Sequence, residues 1–347
     1  SESAVLSLGV VGHGSTAPPL LAILTDSKEG RDLMGKERVS TRAQAFAAFG
    51  LGLLANNVDS PDLHQRVALG LMDALDSKVM REDVHVAALI ALGLTPVPMT
   101  PHVPAPDLRK HRNIESAVSR SGQLAWLARR LTGPQSESLS SAARTHGLVA
   151  LGRLARDSWS GSRAKAMETL LEAATSRDAD KHVRAGAWIG LGRVASGSSQ
   201  PGDVAALKAL AKGMLEGQPV ERRFAAISLA QASSRLPADG SPLLGYATAR
   251  RALQLRLASA PTQDEPWIAM ALGIQAHALH HAGVAGTSAT AGALLDRLRS
   301  ERGTSQIGAF AVAVALSHVG VETSPADAAK ALLMEKFERT KDPAARG

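Results

Sequence analysis

Apolar residues recur along this chain at three- and four-residue intervals, and no stretch alternates with a period of two. The pattern therefore predicts helices throughout and no sheet. Eight apolar runs share a second feature. In SAVLSLGVVG (3–12), VAALIALGLT (86–95), HGLVALGRLA (146–155) and GAWIGLGRVA (186–195), apolar residues lead to Leu-Gly and then to another apolar pair. Looser copies occur at 45–54, 225–234, 268–277 and 310–319. Their anchor positions are Gly9, Gly50, Gly93, Gly152, Gly192, Ala230, Gly273 and Ser317. Most intervals are about 40 residues, room for two helices and two turns. The interval from 93 to 152 is longer and must hold an insertion.

Between the anchors lie stretches with their own helical spacing, at about 17–26, 61–76, 113–131, 163–175, 203–216, 243–259, 288–300 and 325–338. Turn chemistry marks their edges, as in Ser60-Pro61, Gly133-Pro134, Gly202-Asp203 and Ser324-Pro325. Pro61 and Pro325 sit where a first helical turn tolerates a missing N–H. The insertion at 95–112 carries Pro96, Pro98, Pro101, Pro104 and Pro106, followed by the basic run Arg109-Lys110-His111-Arg112. It should be extended, either as a connector along the edge of the array or as a docking element over one face. The polar segment 27–41 reads as a surface loop.

Eight residues before most anchors stands a basic residue: Arg42, His85, Arg144, Arg184 and Arg222. The combination Arg-x-x-x-Ala-x-x-Leu-Gly resembles the second helix of HEAT repeats, in the armadillo-like superfamily, and particularly the phycobilisome-lyase HEAT-like variety. The resemblance covers nearly the whole chain. It implies an all-α fold, a right-handed α-α superhelix or solenoid of about eight two-helix repeats, running as a single array over 1–347. That family holds scaffolds, adaptors, lyases and repair enzymes alike, so the resemblance implies an architecture rather than an activity. The chain opens inside a second helix and ends on Asp342-Pro343, which reads as the start of another. Neither end carries a polar capping repeat, so a fragment of a longer array is expected.

Composition narrows the picture. Aromatic residues are only 3%, which leaves Ala, Leu and Val to build the core. Cysteine is absent, which excludes disulfides and cysteine–zinc sites. No apolar run is long enough for a membrane span. The net charge of +7 is unevenly placed: zero over 1–139, +8 over 140–260 and −1 over 261–347. A local basic field favours acidic partners.

Helical geometry selects the candidate positions. The Leu before each anchor centres the buried face, so the residue after the anchor, roughly 200° away, should be exposed. That position reads Val10, Leu51, Leu94, Arg153, Arg193, Gln231, Ile274 and His318. Three residues on stand His13, Arg156, Ser196, Ser234 and His277. In a two-helix solenoid such positions line the concave face. Arg153, Arg156, Arg193, Arg223 and Gln231 are therefore the candidate partner-binding residues, with Trp267 and His277 at one flank. The arginines in the basic slot point instead toward the seam between repeats, within reach of Asp178, Asp180 or Glu221.

Nothing in the sequence amounts to a catalytic site. His277, His280 and His281 share a helix, but no intervening carboxylate completes a zinc set, so neither metal nor cofactor is expected. The chain contains no His-Glu pair of the kind that holds iron in deoxyhypusine hydroxylase. Gly9-Val10-Val11-Gly12-His13-Gly14 follows no strand and so lacks the context of a dinucleotide loop. Trp126, Trp159, Trp188 and Trp267 lie on separate repeats, a poor provision for base stacking. The expectation is a non-enzymatic scaffold whose concave face holds a protein or peptide, acidic in character. A nucleic-acid-binding solenoid using the same basic groove is the alternative, since duplex contact needs charge rather than aromatics.

Overall fold

A computed structural model describes residues 2–77, 79–284, 288–300, 310–314, 317 and 324–339. Among these residues all regular structure is helical. The chain divides into two compact units, residues 1–190 and 191–347.

In the first unit the anchor-bearing helices are α1 (Glu2–Val11), α4 (Thr41–Asn57), α6 (Glu82–Leu94) and α9 (Ser141–Ala155). Their partners are α2 (Ala17–Leu24), α5 (Pro61–Asp76), α8 (Arg120–Thr132) and α10 (Ser160–Thr175). Two short helices, α3 (Lys28–Met34) and α7 (Ile114–Ala117), complete the unit with the first turns of α11 (Lys181–Val194). The second unit takes the end of α11, then α12 (Pro201–Glu216), α13 (Pro219–Ser233), α14 (Tyr246–Ser259), α15 (Glu265–His281) and α16 (Ser288–Ser300). Residues 310–314 are helical, and α17 (Ser324–Arg339) follows. The partner helices read from spacing alone, 17–26 through 325–338, match these bounds to within three residues at each end, except 113–131.

Sequence chemistry fixes many of the helix starts. Ser27, Ser40, Ser60, Ser119 and Ser140 each accept a bond from the N–H three residues on, satisfying one orphan donor of the first turn. Ser119 does so in extended conformation, which divides the expected helix 113–131 into α7 and α8. Residues 243–245 stay outside α14 because the Leu244 and Gly245 N–H groups both donate to the Gly197 carbonyl, at 2.8 Å. The segment 27–41, expected as a loop, holds α3. Its signals are local, Ser27 at the N-cap and Gly35 at the C-cap with φ 59°.

The anchors explain how successive helices meet. Within the first unit α1 packs on α4, α4 on α6 and α6 on α9; within the second α13 packs on α15. A methyl group on Gly52 would come within 2.7 Å of the Ala91 Cα, and one on Gly152 within 2.6 Å of the Gly190 Cα. Gly93 faces Ala150, Gly192 faces Ser228 and Gly273 faces Ala313 in the same way. Gly9 meets Gly50. From Gly9 through Gly192 the residue met lies two places before the next anchor, whereas Ala313, met by Gly273, lies four places before Ser317. This register assigns the second anchor to Gly52, a correction to Gly50. The corresponding outward position is then Leu53, which is half-buried, whereas Leu51 is fully buried rather than exposed.

The slot eight residues before the anchor has a shared task in four copies. Gln44, the true occupant in the second copy, donates to the carbonyl of Leu24, the last residue of α2, at 3.0 Å. His85 bonds the backbone of Ser77, the residue that closes α5. Arg184 donates to the carbonyls of Ser176, which closes α10, and of Ala179. Arg222 donates to the carbonyl of Gly217, which closes α12, at 3.0 Å. Helix C-termini present unsatisfied carbonyls and partial negative charge, and a polar or cationic side chain answers both. Arg42 lies outside this slot. It is exposed, pairs with Glu2 at 3.3 Å and sits over the Phe46 ring.

The proline-rich insertion is tied down along α5 and α8. Val97 and Leu108 are buried, and the Gln65 side chain donates to the His102 carbonyl at 3.0 Å. A hydrogen bond of 2.9 Å joins His102 to Asp62, and ion pairs join Arg66 to Asp107 and Arg112 to Asp76. Arg120, buried beneath it, donates to the carbonyls of Val97 and Leu154, and burial lowers its pKa to about 10. The segment is a fixed connector within the first unit. The chain-end reading at 342–347 and the candidate His318 lie outside the described residues.

Candidate partner-binding site

Three elements of the second unit converge on an open cleft of about 320 Å³. The last turn of α11 supplies Arg193. The end of α13 and the turn after it supply Gln231, Ser234 and Arg235, and α15 supplies Ile274 and Ala278. Arg193, Gln231 and Ile274 are the positions that follow an anchor in three successive copies. They share the cleft because the anchors set the register of the helices that carry them.

The polar groups divide into committed and free ones. The Ser234 hydroxyl donates to the Ala230 carbonyl at 2.7 Å. Arg235 donates to the carbonyls of Gly192, at 2.9 Å, and Ala195, at 2.5 Å, closing the end of α11. Those carbonyls are thereby satisfied without Arg193, whose exposed guanidinium makes no hydrogen bond or ion pair among the described residues. The half-buried Gln231 amide is likewise unengaged. Below the cleft the structure is stiff. Fully buried Gln275 donates to the Ser233 hydroxyl at 2.7 Å and to the Tyr246 carbonyl at 3.3 Å. Buried Asp203 accepts from the Ser196 N–H and hydroxyl and from the Ser198 hydroxyl, pinning the loop after α11.

The remaining candidates are placed differently. Trp267 is partly exposed on α15 and stands edge-on to Phe224 of α13, with ring centroids 6.1 Å apart. His277 is half-buried and lies edge-on to His281 at 4.5 Å. Arg223 is held at 3.0 Å by Asp264, a carboxylate only 2% exposed that also receives Arg222 at 2.6 Å. In the first unit Arg153 donates to the Asn56 side chain at 3.1 Å, and Arg156 pairs with its neighbour Asp157 at 3.0 Å. Of the candidate cations in the second unit, Arg193 is thus the one left open. Arg235 stands in the turn after α13, beyond the helical positions from which the sequence reading selected its candidates.

Chemically the cleft offers one guanidinium and one carboxamide beside an apolar wall. A carboxylate or a peptide backbone would satisfy both polar groups. Its lining contains no carboxylate or imidazole. Among the described residues no group of three or more His, Asp or Glu side chains is placed to hold a metal ion. No described helix is long and apolar enough to cross a membrane.

Comparison with family models gives no match, nor does comparison with curated proteins. Among solved structures, the crystal structure of an engineered protein is similar at 19% identity, over 99% of this chain and 82% of that one, with a TM-score of 0.42.

Proposed function

We propose that this chain is a HEAT-type scaffold, an α-α superhelix of two-helix repeats, that binds a protein or peptide partner without catalysing a reaction. The anchor register supports the repeat reading, because α1, α4, α6, α9 and α11 each set a glycine against the residue two places before the next anchor. One observation carries the binding reading: Arg193 and Gln231 present unengaged polar groups into a concave, partly apolar cleft. A solvated surface arginine needs no cleft around it, and a structural arginine has its partners already.

The test compares wild type with Arg193→Glu and, as a control, Arg156→Glu, whose charge is already paired. A bound acidic partner should be lost from R193E by tenfold or more in affinity, about 1.4 kcal/mol, and retained by R156E. Equal retention by both variants would contradict the reading. A labelled DNA duplex that binds tightly, with affinity falling steeply as salt rises, would also contradict it and favour nucleic acid.

A further inference from the structure

The cleft is one end of a longer strip. Residues seven apart on a helix return to within about 20° of one another, so Trp267 shares a face with Ile274, and Phe224 with Gln231. The Phe224–Trp267 ring contact therefore sets α13 and α15 in one register, 43 residues apart in number, which also pairs Gln231 with Ile274 in the cleft. Ile227 and Met270, both half-buried, are a matched pair between those two levels. The strip is aromatic at the helix starts and aliphatic midway, and it reaches the free guanidinium at the helix ends. From Trp267 to Ile274 it spans about 10 Å at 1.5 Å per residue.

We propose that the occupant is a peptide segment of a partner protein with apolar side chains followed, about 10 Å further on, by a carboxylate. The proposal rests on the scaffold reading above and names its ligand. Charge complementarity sets the direction of the bound segment. At the aromatic end Arg223 is already held by Asp264, at 3.0 Å, whereas at the opposite end Arg193 is open. Gln231 adds a hydrogen bond to the carboxylate or to the adjoining backbone. The carboxylate can be a side chain or the terminus of the partner, and both present the same two oxygens to the guanidinium.

A display library of random twelve-residue peptides tests this, presented with either a free or a blocked C-terminus. It is selected against the wild-type chain, against Arg193→Glu and against Ile274→Asp, which places a charge on the apolar wall. Wild type should enrich peptides with an apolar pair and an acid at fixed spacing. A side-chain acid would persist with the terminus blocked, and a terminal one would not. R193E should lose these peptides at least tenfold and enrich basic ones in their place. I274D, with its helix content checked by circular dichroism, should lose both classes. Peptides that depend on Ile274 and Arg193 but carry no acid would overturn the proposal while leaving the scaffold reading standing, whereas peptides that survive R193E would overturn both. Enrichment that I274D leaves unchanged would overturn both.

Discussion

Among the described residues, several helices meet closely where a residue has no side chain. A Cβ on Gly152 would meet the Gly190 backbone, and one on Gly192 the Ser228 side chain at 2.5 Å. Backbone cannot step aside as a flexible side chain can, so Gly152→Ala should lower the stability of the first unit by about 1–3 kcal/mol. Gly292 of α16 is exposed, and a Cβ there would meet nothing within 4 Å, so Gly292→Ala should instead stabilise by about 0.5–1 kcal/mol through helix propensity. Urea denaturation of the two variants checks the contrast, and destabilisation by both would mean that the seam is not special. At His85 burial first, and the Arg130 guanidinium second, hold the imidazole below its usual range against the opposing bond to Ser77. The folded state favours the neutral ring. Below about pH 6.5, and down to the lower folded value, the unfolded chain binds more protons, so stability falls with pH. Burial lowers His146 too, in the same sense. The slope of melting temperature against pH below 6.5 should be shallower in His85→Gln than in wild type. Equal slopes would show that His85 does not contribute.

Between elements, Asp264 is a buried tie of the second unit that gathers three guanidiniums. It begins α15 and receives Arg222 and Arg223 of α13, with Arg256 of α14 at 4.0 Å. Removing one member of a buried ion pair strands the others, so Asp264→Ala should cost about 3 kcal/mol or more. Asp296→Ala breaks an exposed pair with Arg299 and should change stability by no more than about 0.5 kcal/mol. Chemical denaturation separates the two, and similar effects would contradict the structural role given to Asp264. That role accounts for a residue the sequence pointed elsewhere. Arg223 stands in the basic third, but whether it meets solvent or a carboxylate depends on a residue 41 positions away, beyond the reach of local periodicity. The helix pairs themselves were legible because each repeats its own apolar spacing. α3 was not, since four charged residues, a glycine, Leu33 and Met34 make no apolar face and only its two caps betray it.

For the whole chain, what could be read was the period, and what could not was its phase in one copy. AFAAFGLGLL holds two Leu-Gly-like steps, at Gly50 and Gly52, and the basic residue Arg42 favoured the first. Packing chooses the second, because Gly50 receives α1 whereas Gly52 meets α6. The candidate cleft was legible through the same period, which brought Arg193, Gln231 and Ile274 to equivalent places. Arg153 and Arg156 shared the pattern without entering that cleft, because they belong to the first unit, while the cleft is lined by the second. The absence of cysteine permits a direct test, with single cysteines placed before and after each anchor. Thiol labelling of the native chain should be fast at 193, intermediate at 231 and 274, and protected at 191, 229 and 272, where the native leucines are at most 1% exposed. In the second copy it should be slow at 51 and faster at 53. Labelling at 191, 229 or 272 as rapid as at 193 would contradict the anchor register, and with it the cleft built upon it.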